Sequence, residues 1–370
     1  MRKNLIRLLI PLVILLTGCA GRGQSGSPAG DILPASAMHA FGRTAFSESG
    51  GLELISSASH IGFTFSGKEC HIYASVSDPL GHNYLQYEID GVYQKRIRIE
   101  GTARSPVTIL ASGNGVHKVW IYKATEAQTG PVFIHKITAS HITAIEKAAA
   151  PLIEFIGNSI TCGAAADPSE VPCGTGQYHD QHNAYMAYGP RVARALNANF
   201  LMSSVSGYGI YRDWNSDGPT LPMVYQKLRL AAGDNDQWDF KKYSPDIVSI
   251  ALGTNDLSDG DGKQKRLPFD STRFVNTYIQ FAQLIKSTYP DAKILLLSSP
   301  MMGGAKRITL QNCITAVKMA VDKLFPDARP ARVYFFNQMS PRGCSGHPSV
   351  EDHAILADEL IPVYRQLMDE

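Results

Sequence analysis

The sequence predicts an α/β domain, a parallel sheet with helices on both faces, preceded by an all-β sandwich domain. Three observations predict this arrangement. Over residues 42–145, apolar and polar residues alternate with a period of two between turn residues, and no sustained 3.6-residue period interrupts them. After residue 148, short wholly apolar runs alternate with helical stretches, the pattern of strands buried on both faces of a parallel sheet. Four short blocks rich in Gly, Ser, Asn or His follow those strands or precede a helix, where open α/β sheets place their ligands.

In the first half, Ile61, Phe63 and Phe65 alternate with Gly62, Thr64 and Ser66, and Ile72, Ala74 and Val76 repeat the pattern. Residues 84–89 run into Asp90-Gly91, a hairpin-turn dipeptide. Ile97 and Ile99 follow, and further strands are expected at 116–123 and 132–137. In the second half, strands are expected at 152–156, 199–203, 246–252, 293–297 and 332–336. Residues 271–289 carry Phe274, Tyr278, Phe281 and Ile285 on one helical face. The final helix opens with the capping box Ser349-Val350-Glu351-Asp352, and Pro362 is expected to bend it.

The N-terminus reads as an address. Arg2, Lys3 and Arg7 precede an apolar run over 8–16, too short for the roughly 20 residues that span a bilayer. Leu16-Thr17-Gly18-Cys19 resembles the bacterial lipobox, which implies cleavage before Cys19 and diacylation of its sulfur. The expected location is therefore the bacterial cell envelope, lipid-anchored at the outer membrane, on its periplasmic face or at the surface. The membrane is met only through that anchor. Removing residues 1–18 takes away three basic side chains and turns the formal charge of +2 into −1. No basic block remains, so no nucleic-acid partner is expected. The expected organisation is a signal peptide over 1–18, a flexible tether over 19–41, a β-sandwich over 42–147 and the α/β domain over 148–370.

With Cys19 set aside, Cys70, Cys162, Cys173, Cys313 and Cys344 remain, an odd number for an oxidising compartment. Cys162 and Cys173 are closest in sequence, and a disulfide is expected between them. No zinc-type Cys or His spacing occurs, and neither metal nor cofactor is expected.

The four blocks are Gly157-Asn158-Ser159-Ile160-Thr161, Ser206-Gly207-Tyr208-Gly209, Gly253-Thr254-Asn255-Asp256 and His347-Pro348. In order and spacing they resemble the SGNH (GDSL-type) hydrolases, whose four named residues fall on Ser159, Gly207, Asn255 and His347. The resemblance implies that Ser159 attacks an ester carbonyl while His347 serves as general base and then general acid. The backbone N–H groups of Ser159 and Gly207, with the Asn255 amide, would form the oxyanion hole. Three departures stand out. The Asp usual two or three residues before the His is replaced by Ser345 and Cys344, which implies a Ser–His dyad with His347 oriented by a backbone carbonyl or by Ser345. Asp256 and Asp213 are poor substitutes, and Asp352 belongs to the capping box. Asn158 stands where an Asp commonly precedes the nucleophile, and Gly346 stands where an aromatic often precedes the His. Sugar stacking would then fall to Tyr208, Tyr211 or Trp214.

Upstream, Tyr87-Glu88-Ile89-Asp90-Gly91, Gly115-Val116-His117-Lys118-Val119 and Lys123-Ala124-Thr125-Glu126 narrow the resemblance. With Ile153-Glu154-Phe155-Ile156-Gly157 and Ser159-Ile160-Thr161-Cys162-Gly163, the chain resembles carbohydrate esterase family two. That implies a jelly-roll domain on an SGNH domain, removing acetyl groups from plant polysaccharides of acetyl xylan or glucomannan type. The rival readings are a catalytically weakened carbohydrate-binding lipoprotein and a lipid esterase on the same fold. His179 and His182 have a spacing that tolerates a metal but no third ligand in sequence, and they read as a polar loop at the mouth of the site. Asp259-Gly260-Asp261-Gly262 lacks the terminal Glu of a calcium loop and reads as a turn, and His353 reads as a packing or surface residue.

Overall fold

The computed structural model describes residues 30–146 and 148–370. Ten strands come first: β1 (Gly30–Pro34), β2 (Ala40–Phe41), β3 (Thr44–Phe46), β4 (Leu52–Leu54), β5 (His60–Ser75), β6 (His82–Ile89), β7 (Val92–Glu100), β8 (Pro106–Leu110), β9 (Val116–Lys123) and β10 (Val132–Ala144). They pair antiparallel in the order β3-β4-β10-β5-β9-β6-β7, with β1 on β10 and both β2 and β8 on β5. The long strand β5 pairs with β9 through residues 60–66 and with β8 through 69–73. The change of partner falls at Gly67, whose φ of +104° permits the turn that an L side chain resists. The period-two apolar residues Phe63, Phe65, Ile72, Leu85, Ile121 and Ile137 form the core.

The tether expected over 19–41 does not extend to residue 41. Leu33 and Ile32 pair with Ile137 and Thr138 of β10, and Leu33, Ala35 and Met38 are buried in the β-domain core. From residue 30 the chain adds the strands β1 and β2 and buried apolar side chains to the β domain. The signal, the lipobox and Cys19 lie outside the described residues.

The second half contains β11 (Leu152–Gly157), α1 (Ser159–Cys162), α2 (Tyr188–Ala195), β12 (Asn199–Ser204), α3 (Leu221–Val224), β13 (Ile247–Ala251), α4 (Ser271–Thr288), β14 (Lys293–Leu297), α5 (Gly304–Leu324), β15 (Arg332–Tyr334) and α6 (Val350–Asp369). The five strands are parallel, in the order β12-β11-β13-β14-β15. Side chains alternate between two cores. Val248, Ile250, Ile294 and Leu296 meet α4 and α5 through Phe274, Tyr278, Phe281 and Ile314. Ile153, Phe155, Leu295 and Leu297 meet α2 and α6 through Val192, Leu356, Leu360 and Tyr364. The expected capping box is present: Ser349 Oγ accepts from Asp352 N–H at 3.2 Å, and Asp352 Oδ2 accepts from Ser349 N–H at 2.9 Å. Helix α6 continues through Pro362 to Asp369.

This strand order places the site. The chain adds strands on opposite sides of β11, so a crevice opens beyond the carboxyl ends of β11 and β13. Ser159 follows β11, Gly207 follows β12 and Asn255 follows β13.

Polar groups tie the β domain to the rim of this crevice. Gln86 Nε2 donates to Asn183 Oδ1 at 2.7 Å, and its Oε1 accepts from Tyr185 N–H at 2.9 Å. Arg96 donates to the carbonyls of Asp180 and His182 at 2.6 and 3.0 Å. On another face the buried Arg43 guanidinium donates to the Lys227 and Tyr225 carbonyls at 2.7 and 2.9 Å and stacks 4.7 Å from the Trp238 ring centre. A buried guanidinium needs such partners to offset its desolvation.

Candidate active site

Ser159 begins α1 immediately after β11, and Asn158 caps that turn by accepting from Ile160 N–H at 3.1 Å. Amide for acid at position 158 leaves the cap intact, because one side-chain oxygen suffices. Ser159 Oγ lies 2.9 Å from His347 Nε2, across 188 residues of sequence. His347 Nδ1 lies 3.1 Å from the Ser345 carbonyl. A carbonyl only accepts, so Nδ1 carries the ring proton and Nε2 presents its lone pair to the serine hydroxyl.

The missing acid thus has a backbone explanation. Ser345 adopts φ 50°, ψ 34°, a left-handed conformation that costs a non-glycine residue about 1–3 kcal/mol. That turn aims its carbonyl back at the imidazole. It is held from both sides: Cys344 N–H donates to the Ala165 carbonyl at 2.8 Å, and Gly343 N–H donates to the His347 carbonyl at 2.8 Å. Asp352 is committed to the capping box and to Arg342, whose Nε it meets at 2.6 Å. Burial holds the His347 imidazole below its ordinary pKa, and the Ser345 carbonyl partly offsets this.

Gly207 has φ +81°, and a Cβ there would lie 2.9 Å from Trp214 Cδ1, so the position requires glycine twice over. Its carbonyl accepts from Trp214 N–H at 2.8 Å. Asn255 Nδ2 donates to the Tyr208 carbonyl at 2.9 Å, which links the loop after β13 to the loop after β12. An amide nitrogen carries two protons, so one remains for a ligand. The neighbouring Asp256 is fully buried and accepts from the Ile210 and Tyr211 N–H groups at 2.9 Å. Burial raises its pKa to about 6, while those backbone donors pull the other way. It is a brace for this loop and makes no contact with His347.

Ser159, Gly207, Asn255 and His347 all line one open cavity of about 820 Å³. Of the three aromatics expected at a sugar, Trp214 lines the cavity and is 43 % exposed. Tyr208 and Tyr211 do not line it: both side chains are buried in the core that packs beneath the parallel sheet. Tyr211 supports the neighbouring loop by accepting from Asp270 N–H at 3.0 Å.

Several neighbours escape a reading by motif. Glu126, from the β domain, is buried and accepts from Ser206 N–H at 2.6 Å, one residue before Gly207. Its other oxygen lies 3.3 Å from His182 Nε2. Burial pushes the Glu126 carboxyl up, but His182 and the Ser206 N–H together bring it below the ordinary value. Lys123 Nζ donates to the Glu126 carbonyl at 2.5 Å, fixing the segment. Tyr178 Oη lies 3.4 Å from His347 Nε2. The Lys123–Glu126 run is visible in sequence, but its placement behind Gly207 depends on contacts 80 residues apart.

His182 is fully buried instead of lying in a polar surface loop. Its Nδ1 accepts from Ala165 N–H at 3.3 Å and its Nε2 faces Glu126, so both nitrogens are occupied. His353 is a packing residue, buried against Tyr188, whose N–H it accepts at 3.3 Å. The expected Cys162–Cys173 disulfide is replaced by Cys173–Cys344. Cys162 lies in α1, which begins at Ser159, 3.2 Å from Ser204 Oγ, whereas the loop bearing Cys173 crosses to the His347 loop. Proximity in sequence gave the wrong partner because the chain turns inward at α1.

Comparison with known proteins agrees with this architecture. Residues 40–148 match the carbohydrate esterase 2 N-terminal family, and residues 155–355 match the GDSL-like lipase/acylhydrolase family. The chain is 28% identical over 305 residues to an acetylxylan esterase / glucomannan deacetylase of Cellvibrio japonicus, covering 80% of each protein. It is 29% identical over 332 residues to the cellulase/esterase CelE of Acetivibrio thermocellus, covering 86% of this chain but 38% of that protein. Among solved structures, a family two carbohydrate esterase from Cellvibrio japonicus superposes with TM-score 0.77 at 25% identity, covering 91% of this chain and 98% of the other. A family two carbohydrate esterase from Clostridium thermocellum, in complex with cellohexaose, gives TM-score 0.73 at 27% identity, covering 91% and 99%. The chain belongs to the GDSL-like lipase/acylhydrolase family and, within the SGNH superfamily, to carbohydrate esterase family two, and it is a carboxylic ester hydrolase.

Proposed function

We propose that the protein removes O-acetyl groups from plant polysaccharides or oligosaccharides of acetyl xylan or glucomannan type, using Ser159 and His347 as a dyad. The observation that carries this reading is the 2.9 Å Ser159–His347 contact, with the imidazole proton held on Nδ1 by the Ser345 carbonyl. Ser159 Oγ attacks the acetyl carbonyl as His347 Nε2 takes its proton. The negative oxygen is received by the Ser159 and Gly207 N–H groups and the second Asn255 amide proton. The intermediate then collapses, the sugar oxygen leaving with the proton from His347; water gives its proton to His347 as it attacks the acetyl-enzyme, and Ser159 takes that proton back as acetate is released. Trp214 beside Gly207 offers a ring face to the sugar, and the N-terminal lipobox anchors the mature chain in the envelope through Cys19.

The test is a panel of acetylated xylan, acetylated glucomannan, and aryl esters of short and long acyl chains. The expected result is acetate release from a polysaccharide and a rate on the aryl acetate far above that on the long-chain ester. Binding without release, or preference for the long chain, would favour a carbohydrate-binding or a lipid-cleaving protein.

The pH dependence has a definite sign. A general base must be neutral, and burial lowers the pKa of His347. Activity should therefore persist below the pH at which an ordinary histidine protonates, and fall only as pH drops through the lowered value. The acid limb of kcat/KM on an aryl acetate is expected at a midpoint below about 6.5. A midpoint above that value would contradict this environment for His347.

A further inference from the structure

We propose that His82, His179 and Asp180 form a binding site for a zinc-type divalent ion, shared between the two domains and separate from the ester-cleaving residues. His82 stands at the start of β6 in the β domain, and His179 and Asp180 lie in the 3₁₀ turn Tyr178–Gln181 of the hydrolase domain. One ligand atom from each falls within 4.8 Å of the others.

The distances define a three-sided opening. His82 Nε2 is 2.5 Å from Asp180 Oδ1, while His179 Nε2 is 4.0 Å from the same oxygen. The two imidazole centres are 4.8 Å apart, tilted by 36°. In a tetrahedral site with bonds of about 2.0–2.1 Å, ligand atoms sit roughly 3.3 Å apart. One of these separations is shorter and the other longer, each by less than 1 Å, and the two histidine nitrogens lie within 4.8 Å of each other, so side-chain rotations are needed to seat all three on one ion. Without an ion only one ring can satisfy the carboxylate. His179 Nε2 turns instead to the His82 carbonyl at 3.2 Å.

The surroundings are built and not incidental. The three side chains are 4–14 % exposed. Asp180 Oδ2 accepts from Gln177 N–H at 2.7 Å, which directs Oδ1 at the rings. Arg96 holds the Asp180 and His182 carbonyls, fixing the backbone on both sides of the carboxylate. Outer partners of this kind orient metal ligands. Both histidines line a cavity of about 430 Å³ that leaves room for water in the remaining coordination position. Two imidazoles and one carboxylate suit zinc better than calcium or magnesium, which prefer all-oxygen sites. Coordination exchanges the His82–Asp180 hydrogen bond and the hydrogen bond from His179 Nε2 to the His82 carbonyl for three metal bonds, with the ring protons of both histidines on Nδ1. The ion thereby clips β6 to the turn that carries Tyr178.

The experiment uses untagged mature protein stripped with EDTA and dialysed. Zn²⁺ titrated in a calorimeter is expected to bind in one equivalent and to raise Tm. Co²⁺ in its place is expected to give visible d–d absorption. His179→Ala removes one hydrogen bond to a carbonyl and the ring contacts with His82 and Tyr84, and retention of the fold is checked by circular dichroism. It is expected to lose the Co²⁺ bands and to weaken zinc binding by more than about 100-fold, the upper range for loss of a mere outer-shell partner. Asp180→Asn, which retains the shape, is expected to weaken it as well. Absence of binding to the wild type, or equal binding by wild type and His179→Ala, overturns the proposal and leaves the esterase reading untouched.

Discussion

Replacing His347 by alanine is expected to lower kcat on an aryl acetate by roughly 10⁴–10⁶-fold, the range for losing the base of a serine hydrolase. The serine hydroxyl then has no acceptor, because its recorded partner is His347 Nε2 at 2.9 Å and the nearby Tyr178 carries a phenol that stays protonated at neutral pH. Two companion variants separate a dyad from a triad. Asp352→Asn should leave kcat nearly unchanged, since that carboxylate serves the cap of α6 and Arg342, and should cost about 1 kcal/mol of stability. Ser345→Ala should also retain activity, because the group facing Nδ1 is a main-chain carbonyl that any residue supplies. A thousandfold loss in Asp352→Asn, measured by steady-state kinetics, would contradict the dyad.

Asn255→Ala is expected to lower kcat by about 10²–10³, roughly 2.7–4 kcal/mol, with a much smaller change in KM. The side chain has two tasks. One amide proton goes to the Tyr208 carbonyl, linking this residue to the loop that carries Gly207, and Asn255 lines the cavity. In the proposed mechanism alanine would remove a donor to the oxyanion and loosen the loop that would supply another. Asn255→Asp keeps the shape but presents oxygen where the oxyanion and the Tyr208 carbonyl both need a donor, so it should be at least as damaging. A raised KM with kcat unchanged would point to ground-state binding instead.

The parts of the molecule legible in sequence are those whose signal is local. The run over 293–297 reads as a strand because it is apolar throughout, and the structure places Lys293–Leu297 between β13 and β15. Phe274, Tyr278, Phe281 and Ile285 read as one helical face and pack against the sheet as such. Likewise the blocks around Ser159, Gly207, Asn255 and His347 reach one cavity, because each directly follows a strand or precedes a helix. What escaped is non-local or carried by backbone. The acceptor beside His347 Nδ1 is a carbonyl, which no motif of side chains records. Glu126 reaches Ser206, and His82 reaches Asp180, only when the two domains meet. The Cys173–Cys344 link spans 171 residues, so closeness in sequence misled. Tyr208 and Tyr211 show the converse error: an aromatic beside a catalytic motif is as often the packing beneath it as the wall facing the substrate.

The most direct test of the central claim is acetate release from acetylated glucomannan by the wild-type protein and by Ser159→Ala, side by side under identical conditions. The account predicts steady release by the wild type and none above the uncatalysed background in the variant, with both proteins folded. Release by Ser159→Ala at a rate close to wild type would contradict it, because the nucleophile would then lie elsewhere.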